Sequence, residues 1–208
     1  SLIMDRRNFL TIASGLALAS AMPSGLMAQN TVVDALNAYL NGLTRARARF
    51  RQDSPDGTET SGTFYLLKPG KMRFEYDAPA QSLVIADGTN LALFDAKSNA
   101  GPQRYPQRQT PLSLLSMRNI DVTSSRFVRR VDIIDSRALV TLFDPEAPEN
   151  GQMIMIFDTE PMALREWILT DRSGLETHVF LETLDTEAQF PTRLFNIAFN
   201  ITAFNRSN

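Results

Sequence analysis

Cysteine is absent from all 208 residues of the chain. Its absence excludes disulfide bonds, thiolate metal sites and cysteine nucleophiles within this sequence. It also argues against attachment to a membrane through a lipidated N-terminal cysteine. Stability must therefore come from an apolar core, which a chain of this length with 43% hydrophobic residues can supply.

Residues that carry catalytic chemistry are also scarce. His178 is the only histidine, and it lies in a predicted strand, where a structural role is favoured over that of a general base. The chain has no GxSxG elbow, no HExxH motif and no phosphate-binding glycine loop. Glu75 and Asp77 share one predicted strand face beside Arg73, which favours a charged outer surface over an acid–base pair. We therefore expect a protein that is not an enzyme and that uses no cofactor or metal ion.

The first residues have the pattern of an export signal. Residues 1–28 are interpreted as a short vector remnant followed by that signal, with Arg6 and Arg7 in its charged region and cleavage at Ala21 or Ala28. RRNFL resembles the twin-arginine motif, and the weakly apolar stretch behind it favours that route over ordinary secretion. This stretch is shorter than the roughly 20 apolar residues that span a bilayer. The segment therefore predicts export to the periplasm.

The remaining residues, 29–208, are expected to form a single domain. No linker, repeat or low-complexity tract divides them. The formal net charge of the whole chain is −2, which is a poor electrostatic match for nucleic acid. Nucleic acid is accordingly not an expected partner.

Alternating strands dominate the first half of this domain. The stretch LKPGKMRFEYDAP places large apolar and charged side chains in turn on both sides of a Pro69–Gly70 turn. Asp87–Gly88, between two apolar runs, is a strong hairpin signal. RARARFRQ is interpreted as a strand whose arginines face solvent. Residues 44–95 therefore predict a five-strand antiparallel meander.

Predicted helices are few and short. Residues 31–43 have helical apolar spacing, residues 98–110 form a loop, and residues 110–117 form a short helix with Pro in its first turn. Further strand-like segments follow, the last of them through Leu194 to Ile201. About eleven strands in neighbouring pairs predict a mainly β protein whose antiparallel sheet curls into a barrel or half-barrel.

The interior of such a sheet must be filled. The chain has 8 Met and 13 Phe, and several predicted strands are apolar on both faces. Either side chains and helices pack the concave side permanently, with methionines filling gaps, or a ligand occupies it part of the time. Composition does not separate these two interpretations.

One long stretch resembles a known family. GTFYLLKPGKMRFEYDAPAQSLVIADGTNLALFD, followed by TPLSLL, is similar to the periplasmic outer-membrane lipoprotein carriers of the LolA family. The similarity covers residues 31–118 and then fades to the strand pattern and the turn after Trp167. It implies an unclosed antiparallel barrel of about eleven strands with a helical lid over an apolar concave face.

The resemblance and the alternation together suggest site residues. The side chains expected to face the acyl-chain cavity are Phe64, Leu66, Met72, Phe74, Tyr76, Met153, Met155, Phe157, Trp167 and Leu169. The lid is expected to contact them through Val33, Leu36, Leu40, Leu43, Leu112, Leu115 and Met117. Lys68 stands where the family has an arginine that is implicated in holding the lid. Lysine offers a mobile point charge in place of the planar donor group of arginine, so we expect a looser latch.

The resemblance also implies a function and partners. The protein would bind the acyl chains of lipoproteins and carry them, as a monomer, from a releasing complex of the ABC type in the inner membrane to an acceptor in the outer membrane. Two other interpretations stay open at this point. One is a related periplasmic module for lipid binding or envelope sensing. The other, less favoured, is an enzyme acting on lipid or glycan.

Overall fold

A computed structural model describes residues 24–98 and 100–207 of the chain. The described residues form two α-helices and eleven β-strands, with 3₁₀ turns at Gln107–Gln109, Pro111–Ser116, Pro148–Asn150 and Thr192–Phe195. In chain order the elements are α1 Ser24–Gly42, β1 Arg45–Asp53, β2 Glu59–Leu67, β3 Lys71–Tyr76, β4 Leu83–Asp87, β5 Asn90–Phe94, β6 Gln103–Pro106, β7 Val128–Ile134, β8 Arg137–Leu142, β9 Gly151–Thr159, β10 Met162–Asp171, β11 Glu176–Leu181 and α2 Ile197–Ser207.

All eleven strands belong to one sheet with the order β6-β5-β4-β3-β2-β1-β11-β10-β9-β8-β7. Neighbouring strands are antiparallel throughout. β6 and β7 are its edges, and within the described part of the chain nothing pairs one with the other. The predicted fold, a mainly β, unclosed antiparallel half-barrel with helices, is therefore confirmed.

β1 shows why alternating residues make this sheet. Its arginines point outward, whereas Ala46, Ala48 and Phe50 are buried. Phe50 lies opposite Gly62 of β2. A Cβ at Gly62 would lie 2.2 Å from the Glu75 carbonyl oxygen and 2.8 Å from the Phe50 ring. Glycine is required at this position because a Cβ would collide with the Glu75 backbone of β3 and with the Phe50 ring on β1.

The first helix is longer than the predicted one. α1 begins at Ser24 rather than at residue 31, because residues such as Ala28 and Gln29 favour helix and extend the amphipathic segment backward. Most of the predicted export signal lies outside the described residues. The predicted boundary between residues 28 and 29 accordingly stays a prediction.

The predicted loop at 98–110 contains a short edge strand. β6, Gln103–Pro106, pairs with β5, and Pro106 ends it opposite Asn90. Proline is tolerated there because an edge strand needs no backbone donor on its outer side. The helix predicted at 110–117 is a 3₁₀ segment, Pro111–Ser116, and Thr110 makes no side-chain cap bond to it.

The predicted C-terminal strand from Leu194 to Ile201 is wrong. This stretch forms the Thr192–Phe195 turn and the start of α2. Ile197, Ile201 and Phe204 recur at helical spacing and pack against the convex face of the sheet. The alternation of Phe and Asn in FNIAFNITAFN imitates a strand, but a one-sided apolar stripe on a helix buries it better.

The sheet therefore has an apolar cluster on each face. The convex cluster joins α2 and the Thr192–Phe195 turn to β4 and β5, through Leu83, Ile85, Ala92, Phe94, Phe195 and Ile197. The larger, concave cluster joins the strands to α1 and to the Pro111–Ser116 segment. No helix in the described ranges is both long and apolar enough to cross a membrane.

Candidate functional site: an apolar concave face beneath a helical lid

An aromatic row occupies the centre of the concave face. Phe74 of β3 lies 4.9 Å from Phe64 and 5.9 Å from Trp167, measured between ring centroids. Phe50 continues the row, at 5.8 Å from Phe74 and 5.1 Å from Tyr76. Most of these contacts are edge-to-face, the arrangement that the ring quadrupoles favour. The row therefore runs from the middle of the sheet to one end of it.

The later strands complete this face. Met153, Met155 and Phe157 of β9 and Trp167 of β10 belong to the same buried cluster as the aromatic row. Leu169 pairs with Met153 across the strands and so shares its face, but its side chain is 37% exposed at the rim. The structure thus brings the ten predicted cavity residues to one face, nine in the buried cluster or packed against it and Leu169 at its edge.

Two elements cover the concave face, and we call them together the lid: α1 and residues 111–117. Leu36 and Leu40 of α1, and Leu43 directly after its end, are at most 3% exposed, because helical spacing directs all three toward the sheet. From the second element, Leu115 is fully buried. The predicted lid residues that are only partly buried are Val33, Leu112 and Met117.

Two lid residues were missed by sequence reasoning. Leu114 is 2% exposed, because the tighter 3₁₀ turn directs it inward beside Leu115. Tyr39 packs edge-to-face on Phe157 at 6.0 Å, and its hydroxyl accepts a hydrogen bond from the Leu164 backbone N–H at 3.0 Å. Burial raises the pKa of Tyr39. Its position three residues after Leu36 is the signal that could have identified it.

Side-chain amides of α1 join this helix to the segment that follows the second lid element. Asn41 Nδ2 donates to the Ile120 carbonyl oxygen at 2.8 Å, and its Oδ1 accepts from the Ile120 N–H at 2.6 Å. Asn37 Oδ1 accepts from the Val122 N–H at 2.9 Å. The segment that follows residue 117 is therefore held to α1 by these three hydrogen bonds.

The turn after β2 touches both lid elements. The Lys68 ammonium donates a hydrogen bond to the Leu40 carbonyl oxygen of α1. Two residues later, the Gly70 N–H donates to the Ser116 carbonyl oxygen at 2.9 Å. Lys68 is only 9% exposed, and burial lowers its pKa to about 8. The predicted latch residue is therefore placed where it contacts the lid helix backbone.

The concave face is filled by protein in this conformation. Phe64, Leu66, Met155 and Trp167 are at most 1% exposed beneath the lid leucines. Space remains at the end of the half-barrel that holds the last residues of β1, β3 and β10. One cleft there, of about 400 Å³, lies between Pro111 and the strand ends that carry Met153 and Leu169.

A second space, which we call the mouth cavity, lies at the end of the β1–β6 half. Its volume is about 530 Å³, and it is lined by residues at the ends of these strands and by the loops after β1, β3 and β5. Tyr76 forms its inner wall, and the Tyr76 hydroxyl donates to Gln52 Oε1 at 2.7 Å. Burial raises the pKa of Tyr76 to about 12, so this phenol stays protonated at neutral pH.

Charged groups lie away from the concave centre. Glu75 pairs with Arg73, and Asp77 pairs with Arg49, which agrees with the predicted charged outer face. His178 lies 3.1 Å from Glu176 on β11. In the ranges that the structure describes, no group of three or more His, Cys, Asp or Glu could hold a metal ion.

An unclosed half-barrel with an apolar interior and a lid from its own chain defines the structural class. Residues 41–198 match the family described as "Outer membrane lipoprotein carrier protein LolA". The chain therefore belongs to the LolA family.

Individual relatives agree with this assignment. The outer-membrane lipoprotein carrier protein of Leptothrix cholodnii is 32% identical over 178 residues, which are 81% of this chain and 82% of that protein. The protein of the same name from Chromobacterium violaceum is 27% identical over 188 residues, 86% of this chain and 90% of its own. A solved LolA superfamily structure from Nitrosomonas europaea aligns with 80% of this chain and 96% of its own at 13% identity, with a TM-score of 0.43. The assignment rests on the sequence matches.

Proposed function

We propose that this protein is a periplasmic carrier that binds the acyl chains of lipoproteins on its concave face and takes them from the inner to the outer membrane. The observation that carries the proposal is the joint cluster of lid leucines and strand aromatics on that face. Membership of the LolA family supports the lipoprotein as cargo. The role is one of binding and release, without catalysis.

The physical need for such a carrier follows from the hydrophobic effect. Exposing an acyl chain to water costs about 0.8 kcal/mol per CH₂ group. A lipoprotein with two or three chains therefore leaves a membrane very slowly without help. An apolar face of Met, Leu and Phe side chains accepts chains of variable conformation because these side chains repack easily.

The closed conformation explains how release stays feasible. The lid covers the apolar face when cargo is absent, so no large apolar patch is exposed to water. Cargo must displace the lid leucines, and the free energy of lid closure is subtracted from the free energy of cargo binding. This competition keeps the affinity moderate.

The proposal includes a location and partners. The Arg6–Arg7 signal pattern and the names of the relatives support a periplasmic location. Loading would occur at a releasing complex of the ABC type in the inner membrane, and unloading at an acceptor in the outer membrane. The carrier is proposed to act as a monomer, because one chain supplies both sheet and lid.

A release assay tests the proposal. Purified protein is incubated with inner-membrane vesicles that contain the releasing complex, ATP and labelled lipoprotein, and the soluble lipoprotein–carrier complex is measured. Leu169→Glu should lower complex formation, because a carboxylate at this partly exposed rim position meets the entering chains without disturbing the buried cluster. Ile134→Glu, at a 56% exposed residue of β7, is the matched control and should leave it unchanged. Failure of the wild-type protein to form soluble complex would contradict the proposal.

A further inference from the structure

The mouth cavity differs from the rest of the concave face because polar groups line it. Gln52, Ser54, Thr60, Ser82 and Gln103 are among its lining residues. Apolar side chains lie beside them, including Val84 and Leu93, which pair across β4 and β5. A cavity with a polar rim and an apolar wall suits a molecule in which acyl chains meet a polar junction.

Gln52 is held in a defined orientation in this cavity. Its Oε1 accepts the Tyr76 hydroxyl proton at 2.7 Å, which directs its Nε2 away from Tyr76. Nε2 reaches Ser54 Oγ only at 3.5 Å, the outer limit of a hydrogen bond. The amide N–H groups therefore have unused donor capacity at the cavity wall.

Thr60 contributes a second unused group. It lies directly opposite Gln52 in the β1–β2 pair, so both side chains share the concave face. Its Oγ1 is buried and has no hydrogen-bond partner among the described residues. A buried hydroxyl without a partner is unfavourable, and a ligand acceptor in the adjoining cavity would remove this cost. Rotation about χ1 exchanges the positions of the hydroxyl and the methyl group of threonine.

The mouth cavity is continuous with the aromatic row. Tyr76 forms its inner wall and contacts Phe50, and Phe50 contacts Phe74 in the centre of the face. Acyl chains that extend from the cavity along this row would leave their ester groups between Gln52 and Thr60. Ester carbonyl oxygens accept hydrogen bonds, and these two side chains can donate them.

We propose that Gln52 and Thr60 donate hydrogen bonds to the ester carbonyl oxygens of the diacylglyceryl group of the cargo, with Tyr76 as the positioning residue for Gln52. This inference rests on the proposed function. It adds a polar anchor that fixes how far the lipid enters, whereas the apolar face alone accepts chains at any depth. Anchoring at the mouth also leaves the peptide part of a lipoprotein outside the sheet.

The charge of the cavity favours a lipoprotein over a phospholipid as the source of the diacylglyceryl group. The described residues that line it include one carboxylate, that of Asp95, and no basic side chain. A phosphate group at this position would be repelled by Asp95 and would have no cation to pair with. The thioether link of a lipoprotein cysteine is uncharged.

Binding of three matched probes to the whole chain tests the inference. The probes are a short peptide with a diacylglyceryl-modified cysteine, its analogue with ether links in place of the esters, and a phosphatidylglycerol with the same chains. The wild-type protein should bind the ester peptide about threefold to tenfold more tightly than the ether peptide. This ratio corresponds to the net free energy of one or two hydrogen bonds. Gln52→Leu, Thr60→Val and Tyr76→Phe should each bring this ratio toward one. Thr63→Val, on the opposite face of the same strand, is the control and should preserve it.

The outcomes separate this inference from the proposed function. If neither peptide binds the wild-type protein, both are overturned. If both peptides bind, with the same ester-to-ether ratio in the wild-type protein and the three variants, the anchor is overturned and the carrier function stands. Binding of phosphatidylglycerol as tight as that of the ester peptide would overturn the assignment of the site to lipoproteins.

Discussion

The Lys68 ammonium donates a hydrogen bond to the Leu40 carbonyl oxygen, and this contact joins the sheet to the C-terminal end of the lid helix. Leu40 lies in the last turn of α1, where carbonyl groups have no partner within the helix. A cation at a helix C-terminus is also favoured by the helix dipole. Lys68 therefore supplies both a donor and a charge at the contact between α1 and the turn after β2.

Removal of this donor should open the lid. Lys68→Met leaves the Leu40 carbonyl without a partner and should destabilise the closed conformation by about 1–2 kcal/mol. Hydrogen exchange of amides near the end of α1 should become faster, and cargo should bind about fivefold to thirtyfold more tightly because lid closure competes less. Lys71→Met, on the outward face of β3, is the matched control. Unchanged exchange and affinity in Lys68→Met would show that the contact does not hold the lid.

The same lysine should make stability depend on pH. Burial lowers the Lys68 pKa from 10.5 to about 8 in the folded protein. The unfolded chain therefore binds more protons between pH 8 and pH 10.5. The free energy of unfolding should therefore increase as the pH is raised from 8 to 10.5. This gain in stability should be lost again as the pH falls through 8.

Urea unfolding at several pH values measures this effect. The quantity to follow is the difference in the free energy of unfolding between the wild-type protein and Lys68→Met. The difference removes the contributions of other groups that titrate in the same range, such as the tyrosines. A difference that stays constant from pH 7 to pH 10.5 would contradict the lowered pKa.

Arg73 should hold α2 on the convex face. Its guanidinium donates to the Leu194 carbonyl oxygen at 2.7 Å and to Asn200 Oδ1 at 2.8 Å, with a side chain only 9% exposed. Arg73→Met should lower the free energy of unfolding by about 2–4 kcal/mol, because it leaves buried acceptors unpaired. Hydrogen exchange should show loss of protection in residues 197–207.

A matched arginine variant controls for charge. Arg49→Met removes the ion pair with Asp77, whose side chains are 45% and 48% exposed, and should cost less than about 1 kcal/mol. If both variants lose the same free energy of unfolding, the attachment of α2 does not depend on Arg73.

The fold could be predicted over the meander because local signals agree there. Alternation in β1 to β3 and the turns at Pro69–Gly70 and Asp87–Gly88 specify both pairing and register. In β9 and β10 the structure places Met153 and Leu169 opposite each other, on one face of the sheet. Strand alternation and hairpin turns depend on residues that are close in the sequence.

The C-terminal region could not be predicted by the same means. FNIAFNITAFN has apolar residues at both strand and helix spacing, and only the convex cluster around Ile85 and Phe94 decides between them. The proposed anchor residues, Gln52 and Thr60, were not identified from the sequence because the cavity that brings them together forms between strand ends. Leu114 was missed because the 3₁₀ geometry, rather than an α-helix, directs it inward.

The most direct test of the account uses Trp167, the only tryptophan of the chain, which is 1% exposed at the centre of the concave face. Bromine atoms on a bound acyl chain quench indole fluorescence only at close range, so a lipopeptide with brominated acyl chains reports whether chains reach this face. We predict strong quenching that saturates with binding and is absent with the unbrominated lipopeptide. Saturable binding of the brominated lipopeptide without quenching of Trp167 would contradict the claim that acyl chains replace the lid on the concave face.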